Sequence, residues 1–118
     1  MNKRSVGGYY ENIAAEYLKK EGYSIVCMNY RCKIGEIDIV AIDNGCLVFC
    51  EVKYRSSEKF GSPFEAVNIQ KQMKISKTAM HYCMCHNLGE NGKYRFDVIG
   101  VYGTGKIEHI ENAFEVFC

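Results

Sequence analysis

The chain has 118 residues, of which 47% are hydrophobic and 25% charged, as is typical of one globular domain that buries a core without disulfides. The formal net charge of +1 gives no general attraction for a polyanion, so a nucleic-acid ligand has to be argued from local charge. No stretch approaches the roughly 18 apolar residues of a membrane helix, and the N-terminal MNKRSVGGYYEN has no apolar run. We therefore expect a cytoplasmic protein with a single domain over residues 1–118.

The first predicted element is a helix over residues 8–21. Its apolar residues recur at helical spacing and form one narrow stripe, which consists of Ile13, Ala14, Tyr17 and Leu18. Gly22 follows where a helix C-cap glycine belongs. The next segment, residues 23–30, has the composition of a strand.

A β-hairpin is predicted next, with strands over residues 36–43 and 46–54 around Asn44-Gly45, which is a strong signal for a two-residue turn. In that register, paired residue numbers sum to 89. Asp38 then lies opposite Glu51, and Glu36 lies opposite Lys53. Side chains alternate between faces, so these four share one face, whereas Ile37, Ile39 and Ala41 share the other.

A second helix is predicted to run to about His86. It begins either at a capping box of Ser62 and Glu65 with Pro63 between them, or at Asn68. The residues that we expect it to bury are Ile69, Met73, Ala79, Met80 and Cys83. A strand over residues 94–102 and a short strand around KIEHI complete a mixed α/β sheet, in which the strand after the second helix can join in parallel.

The facing carboxylates of Asp38 and Glu51 indicate a compensating positive charge, because like charges opposite each other destabilise a sheet. Lys53 is one candidate. A divalent cation is the other, since two carboxylates supply the hard oxygen ligands that Mg²⁺ prefers. The alternative is a solvated hairpin end with Glu36 and Lys53 as a cross-strand ion pair.

Local charge favours a phosphate backbone as ligand. Residues 53–77 carry six basic side chains against two glutamates, and Arg31 and Lys33 precede the acidic strand. The candidate nucleic-acid contacts are Arg31, Arg55, Lys71 and Lys74. An ordinary solvated helix face would also explain the lysines, and Tyr54 is either a base-stacking residue or a half-buried strand residue.

Seven cysteines are scattered along the chain in an odd number, which argues against a disulfide framework. One hypothesis is a metal cluster of His81, Cys83, Cys85 and His86. No C-x-x-C pair is present, however, and the segment has a helical pattern, so the alternative is that the cysteines act as small hydrophobic residues.

Several motifs together resemble the YraN-like family of small bacterial proteins, which in turn resemble Holliday-junction resolvases of the PD-(D/E)xK nuclease superfamily. Beside Glu11 and Ala15, the matching segments are NYRCKIGEIDIVA, LVFCEVKYRSS, FGSPFEAV, KQMKI and RFDVIGV. Ile37 stands where the superfamily's name has a proline, which is often absent. The resemblance implies a restriction-endonuclease-like core with the order αβββαβ.

The resemblance also implies a set of roles. Asp38, Glu51 and the backbone carbonyl of Val52 would hold Mg²⁺ or Mn²⁺, with Glu11 as a ligand directly or through water. Lys53 would orient or activate the attacking water, and Glu36 would be either a further ligand or the partner of Lys53. For Glu11 alone, the alternative is a solvent-facing helix carboxylate.

The function expected on this basis is metal-dependent hydrolysis of phosphodiester bonds in DNA, branched or single-stranded, with a homodimer required for paired cuts at a junction. Two alternatives stay open. One is a nucleic-acid-binding module that does not cut and works with a partner protein. The other is a structural interaction domain that binds neither divalent ions nor DNA.

Overall fold

The computed structural model describes residues 3–56, 67–86 and 93–115, with the backbone alone over residues 3–7. Two helices and five strands follow in the order αβββαββ, which is roughly consistent with the predicted restriction-endonuclease-like fold. The elements are α1 Lys3–Lys20, β1 Ser24–Arg31, β2 Glu36–Asp43, β3 Cys46–Arg55, α2 Ile69–Cys85, β4 Tyr94–Tyr102 and β5 Ile107–Phe114. Neither helix has the length and apolarity needed to span a membrane, as judged on these described residues.

The strands form one mixed sheet in the order β1-β2-β3-β4-β5. Neighbours are antiparallel except β3 and β4, which are parallel. Parallel neighbours require a crossover, and α2 lies in the connection between these two strands. The predicted parallel addition of the strand after the second helix is therefore confirmed.

Helix α1 ends as the sequence predicts. Gly22 has φ +95°, a conformation that glycine adopts without steric cost. The Gly22 amide donates to the Lys19 carbonyl at 3.1 Å, and the Tyr23 amide donates to the Leu18 carbonyl at 2.9 Å, which together form a Schellman cap. The predicted stripe packs on the sheet, where Ala14 and Leu18 are fully buried.

Helix α2 begins at the predicted second cap. The Asn68 side chain accepts a hydrogen bond from the Lys71 amide at 2.9 Å. The alternative capping box of Ser62, Pro63 and Glu65 lies outside the described residues.

The predicted buried face of α2 is only partly right. Ala79 is buried and Cys83 is half-buried, but Ile69 is 63% exposed, and Met73 and Met80 are also exposed. The helix instead buries a mixed face, in which polar side chains lie between apolar ones. Its buried residues are Gln72, Ile75, Ser76, Thr78, Ala79 and Tyr82. Two of these polar side chains are satisfied locally, because the Gln72 amide donates to the Val67 carbonyl at 2.9 Å and the Thr78 hydroxyl to the Lys74 carbonyl at 2.7 Å. Hydrophobic spacing alone could not reveal this compensation.

Two cores cover the two faces of the sheet. Val48 and Cys50 of β3 pack in the cluster that contains α1, and Phe49 packs in the cluster that contains α2, so β3 alternates as predicted. Ile37, predicted to share a face with Ile39, packs in the α2 cluster instead.

The exception at Ile37 has its cause in β1. Asn29 has φ +53°, and its neighbours Met28 and Tyr30 contact opposite clusters. A regular strand would place residues two apart on one face, so the left-handed residue turns β1 over. Met28 pairs with Ile39 and Tyr30 pairs with Ile37, and β2 therefore turns over beside it. Asp38 lies at the centre of this irregularity.

Candidate metal centre

The hairpin of β2 and β3 opens into a fork at its end away from the turn. From Asp43–Cys46 to Ile39–Cys50 the two strands pair in the predicted register. Beyond that point β2 remains paired with β1, through Ile37 and Glu36, while β3 remains paired with β4. The predicted pairs Asp38–Glu51 and Glu36–Lys53 therefore lie beyond the end of the ladder, inside the fork.

The Asp38 side chain closes the base of this fork. Its Oδ2 atom accepts a hydrogen bond from the backbone N–H of Val52 at 2.8 Å. In a continued ladder Val52 would pair with Ile37, so the carboxylate takes the place of a backbone acceptor. The N–H and C=O of one strand residue project toward the same neighbour. The Val52 carbonyl therefore also faces the Asp38 side of β3.

Carboxylates from α1, β2 and β3 lie around the fork, where Asp38 interacts with both Glu11 and Glu51. Asp38 is 8% exposed and Glu51 is 7% exposed. Asp38 acts on both glutamates, through its charge and through side-chain hydrogen bonding. In the absence of a cation these interactions favour the protonated forms of Glu11 and Glu51.

The pKa values of the two glutamates reflect this crowding. Burial, followed by the hydrogen bond to Asp38 and its negative charge, raises the pKa of Glu51 from 4.5 to about 8. Burial and the charge of Asp38 raise the pKa of Glu11 to about 7, against the opposing effect of a hydrogen bond from the Asn29 side chain. Perturbed carboxyl groups that share one cleft are a physical indication of a functional site.

Two lysines stand beside Glu51. Burial lowers the pKa of Lys53, and the neighbouring ammonium of Lys71 lowers it further, although the Glu51 carboxylate opposes both effects. Lys71 of α2 lies 3.6 Å from Glu51, measured from Nζ to Oε2. Burial also acts to lower the pKa of Lys71, but the Glu51 carboxylate and the other partners outweigh it and raise this pKa. Lys71, expected only as a nucleic-acid contact, thus lies within the site itself.

Asn29 is the site residue that the sequence analysis missed. It lies across from Asp38 in the β1–β2 pair and hydrogen-bonds to Glu11. Asparagine is one of the few residues other than glycine that adopts positive φ readily. An Asn inside an otherwise regular strand pattern was the available signal for a kink.

The donor set suits a hard divalent cation such as Mg²⁺ or Mn²⁺. The Oε2 atom of Glu11 is buried and has no hydrogen-bond partner among the described residues. A buried carboxylate oxygen without a partner is costly, and carboxylates that repel one another are stabilised by a shared cation. Asp38, Glu51, Glu11 and the Val52 carbonyl are the donors that the fork offers to such an ion, although the three carboxylates do not bring one oxygen each within 4.8 Å of one another without it.

The other predicted contacts surround this fork. Arg31 forms an exposed ion pair with Glu36 at 3.1 Å, so Glu36 pairs with Arg31 rather than with Lys53 as one alternative proposed. Lys71 and Lys74 line a cavity of about 520 Å³ together with Glu36 and the start of α2. Arg55 ends β3, and its carbonyl accepts from the Gly103 amide at 3.0 Å.

A second cluster lies on the turn side of the fork, where Asp97 of β4 pairs with Cys50 of β3. Asp97, His109 and Glu111 bring ligand atoms within 4.8 Å of one another, so this group could hold a metal ion. Protein donors already fill it, however. Asp97 accepts from His109 at 2.7 Å, from Arg95 at 3.0 Å and from the Asn112 amide at 3.0 Å. The guanidinium in its midst makes it a better ion-pair network than a metal site.

The cysteine and histidine hypothesis is wrong for the four residues together. His81 lies 3.8 Å from the Cys85 sulfur and 2.8 Å from the Tyr30 hydroxyl. Cys83 packs in the α2 cluster instead, and His86 contacts the Tyr82 carbonyl. The period of the helix separates these side chains, and the described cysteines are free thiols.

Comparisons with known proteins bear on the whole fold. Residues 10–101 match the model of the uncharacterised protein family UPF0102. The chain is 49% identical over 117 residues to a UPF0102 protein of Lachnoclostridium phytofermentans, covering 99% of this chain and 98% of the relative. It is 49% identical over 118 residues to a UPF0102 protein of Alkaliphilus oremlandii, covering 97% and 100% respectively. The chain therefore belongs to the UPF0102 family, which is the YraN-like family that its motifs predicted.

Proposed function

We propose that this chain is a metal-dependent nuclease that hydrolyses phosphodiester bonds in DNA, with one nuclease domain spanning residues 1–118. The observation that carries the proposal is the convergence of Glu11, Asp38 and Glu51 in the fork, beside Lys53. Two buried carboxylates and the half-buried Glu11 are unfavourable together without a cation, and they suit a bound divalent ion. The basic residues around the fork suit a phosphate backbone.

A bound Mg²⁺ or Mn²⁺ would lower the pKa of a coordinated water and offset charge on the phosphoryl oxygens. The chain's own residues then have distinct tasks. Asp38 is fixed by the Val52 amide, so its free oxygen keeps a constant direction. Asn29 favours the charged form of Glu11, because its side-chain hydrogen bond lowers the pKa of that carboxyl group.

Lys53 is suited to handle the proton of the attacking water. Its pKa is lowered by burial and by Lys71, so its Nζ atom is neutral for a larger fraction of the time than an ordinary lysine. A neutral Nζ can accept a proton, and a charged Nζ can steady the phosphate. Lys71, with its raised pKa, keeps its positive charge next to Glu51 and is suited to contact phosphate directly.

The test is cleavage of labelled four-way-junction, single-stranded and duplex DNA, and of an RNA strand, with Mn²⁺, Mg²⁺ or EDTA. We expect metal-dependent products that disappear in Glu51→Gln and persist in the control Glu115→Gln, an exposed glutamate after β5. The preferred substrate then defines the branch of nuclease. Binding without any cutting would instead support the alternative, a nucleic-acid-binding module that acts with a partner protein.

A second test does not depend on activity. In EDTA the protein is expected to lose stability as the pH rises, since folded Glu51 retains its proton to about pH 8 while the unfolded chain releases it near 4.5. The folded state binds more protons in that window, so this stability is full below it and lost above it. The loss should be about 3–5 kcal/mol, the upper figure being the full difference between the two pKa values. Glu11 acts in the same direction.

Divalent ions should reverse this trend, because they bind the deprotonated carboxylates. The measurement is urea unfolding at about pH 5, 7 and 9 in EDTA, Mg²⁺ or Mn²⁺. We expect little stabilisation by the ion at low pH and the largest stabilisation at high pH. Equal stabilisation at every pH, or none, would count against a metal site in the fork.

A further inference from the structure

Three tyrosine rings form a continuous stack that adjoins the fork. Tyr9 meets Tyr10 edge-on with ring centroids 5.1 Å apart, and Tyr10 lies against Tyr54 with centroids 4.3 Å apart at 32°. Tyr10 immediately precedes Glu11 in α1, and Tyr54 immediately follows Lys53 in β3. Neighbouring strand residues point to opposite faces, so Tyr54 lies on the α1 side of the sheet while Lys53 lies with Lys71 of α2. The tyrosine stack therefore adjoins the fork on the α1 side, from which Glu11 enters it.

Tyr54 lies against Gly103, but the tyrosine stack as a whole remains open to solvent. The Tyr54 hydroxyl lies so near Gly103 that a Cβ there would approach it to 3.2 Å, and the Gly103 amide bonds the Arg55 carbonyl. Tyr9 nevertheless is 61% exposed, and Tyr54 is 45% exposed. Accessible aromatic rings of this kind are the surfaces on which nucleobases stack in single-strand-binding proteins.

A groove continues from the outer side of Tyr9, between α1 and the turn that joins β4 to β5. It has a volume of about 560 Å³. Its lining includes Tyr9, Asn12, Glu16, Tyr17 and Ile107. The Asn12 amide can donate and accept hydrogen bonds and Glu16 can accept them, as a base edge requires, while the tyrosines and Ile107 supply apolar surface.

The charge at one end of the groove suits a phosphate group. Lys20 lines the groove at the end away from Tyr9 and supplies a positive charge, with Glu16 between them as a hydrogen-bond acceptor. An apolar peptide would gain nothing from this cation. A nucleotide uses all three features, because its base needs a ring face, its edge needs polar partners and its phosphate needs positive charge.

We propose that the tyrosine stack and the groove beside Tyr9 bind an unpaired nucleobase of the substrate, near the phosphate that is cut. The inference rests on the proposed nuclease function and narrows its substrate class to DNA with unpaired nucleotides next to the cut. A continuous duplex keeps its bases paired and stacked on each other, so it cannot supply one without unstacking.

Binding of a labelled single strand and of a duplex of equal length, followed by fluorescence anisotropy in EDTA, tests this proposal. For Tyr9→Ala we expect about a 5- to 100-fold rise in Kd for the single strand. The Kd for duplex should change by less than about 3-fold, since only positive charge contributes there. Tyr9→Phe keeps the ring face and should bind as the wild type does. Tyr94→Ala, an exposed tyrosine near the hairpin-turn end of the sheet, is the matched control.

A second substrate, an oligonucleotide that lacks bases at some positions, tests whether Tyr9 acts through a base. It should bind the wild type more weakly than the intact strand does, and Tyr9→Ala should bind both equally. Unchanged single-strand affinity in Tyr9→Ala, an equal loss for duplex, or a loss in Tyr9→Phe as large as that in Tyr9→Ala would overturn the proposal.

Failure of this inference and failure of the nuclease proposal give different results. Cleavage that depends on Glu51, with no effect of Tyr9 on binding, removes only the base site. Tyr9-dependent binding of single strands without any cleavage removes the nuclease and leaves the base site as part of a binding module.

Discussion

Replacing Asp38 by asparagine is expected to lower metal-dependent cleavage by at least about 1,000-fold while making the metal-free protein more stable. The new side chain has nearly the same shape. Its amide oxygen can still accept the hydrogen bond that the Val52 N–H donates to Asp38 Oδ2 at 2.8 Å in the wild type. What it loses is the negative charge that Glu11 and Glu51 both face. Activity and stability should therefore change in opposite directions.

The gain in stability follows from relief of repulsion inside the fork. Asp38 raises the pKa of both glutamates, and one pKa unit corresponds to about 1.4 kcal/mol. We expect the free energy of unfolding at about pH 8 in EDTA to rise by about 1–2 kcal/mol. Functional sites commonly carry such a cost, since groups arranged for catalysis are not arranged for stability.

Paired measurements on the same preparations decide the matter: urea unfolding with and without Mg²⁺, and cleavage of the preferred substrate. Asp38→Asn should also lose most of the stabilisation that Mg²⁺ gives the wild type at high pH. The control Glu115→Gln should match the wild type in all three measurements. An Asp38→Asn protein that is less stable than the wild type in EDTA would mean that the carboxylate serves the fold and not a cation.

The sequence predicted the hairpin and its acidic end because both depend on local chemistry. Asn44 and Gly45 have φ values of 50° and 79°, which few other pairs adopt readily, and this turn fixes the register. Once the register is known, period-two alternation brings Asp38 and Glu51 to the same end of the hairpin. The register held as far as Ile39–Cys50.

The fork itself could not be read from the hairpin, because its cause lies in a different strand. The left-handed backbone at Asn29 turns β1 over, and β2 turns over with it. Ile37 then packs in the other core. Asn29, the residue that causes the fork, also interacts with Glu11 through its side chain. A pattern of alternating side chains does not contain such a long-range cause.

The same limit explains the incorrect face of α2. Spacing placed Ile69, Met73 and Met80 in the core, but the helix turns Gln72, Ser76 and Thr78 toward the sheet instead. Local hydrogen bonds offset the free-energy cost of burying Gln72 and Thr78. These bonds form only once the helix and its cap exist. The position of Lys71 depends on the same orientation of the helix, which brings its side chain to Glu51.

Arg95→Met is expected to destabilise the protein by about 3–5 kcal/mol, the largest loss of stability that we predict. The Arg95 guanidinium is mostly buried and lies 3.0 Å from Asp97, 3.2 Å from Asp43 and 3.3 Å from Glu111. Asp97 is fully buried. Burial raises its pKa, but hydrogen bonds from His109, Arg95 and the Asn112 amide outweigh this and lower the pKa below its ordinary value. Without Arg95, a buried carboxylate keeps its charge but loses its main cation.

Two further variants separate charge from packing. Arg31→Met breaks an exposed ion pair with Glu36 of similar length, 3.1 Å, and should cost less than about 1 kcal/mol. Asp97→Asn in the Arg95→Met background removes the uncompensated charge and should restore part of the lost stability. Urea unfolding of the single and double variants at neutral pH provides the comparison. If Arg95→Met costs no more than Arg31→Met, the network around Asp97 does not hold β5 on the sheet by charge. Its Asp97, His109 and Glu111 would then be better explained as a site for a second cation.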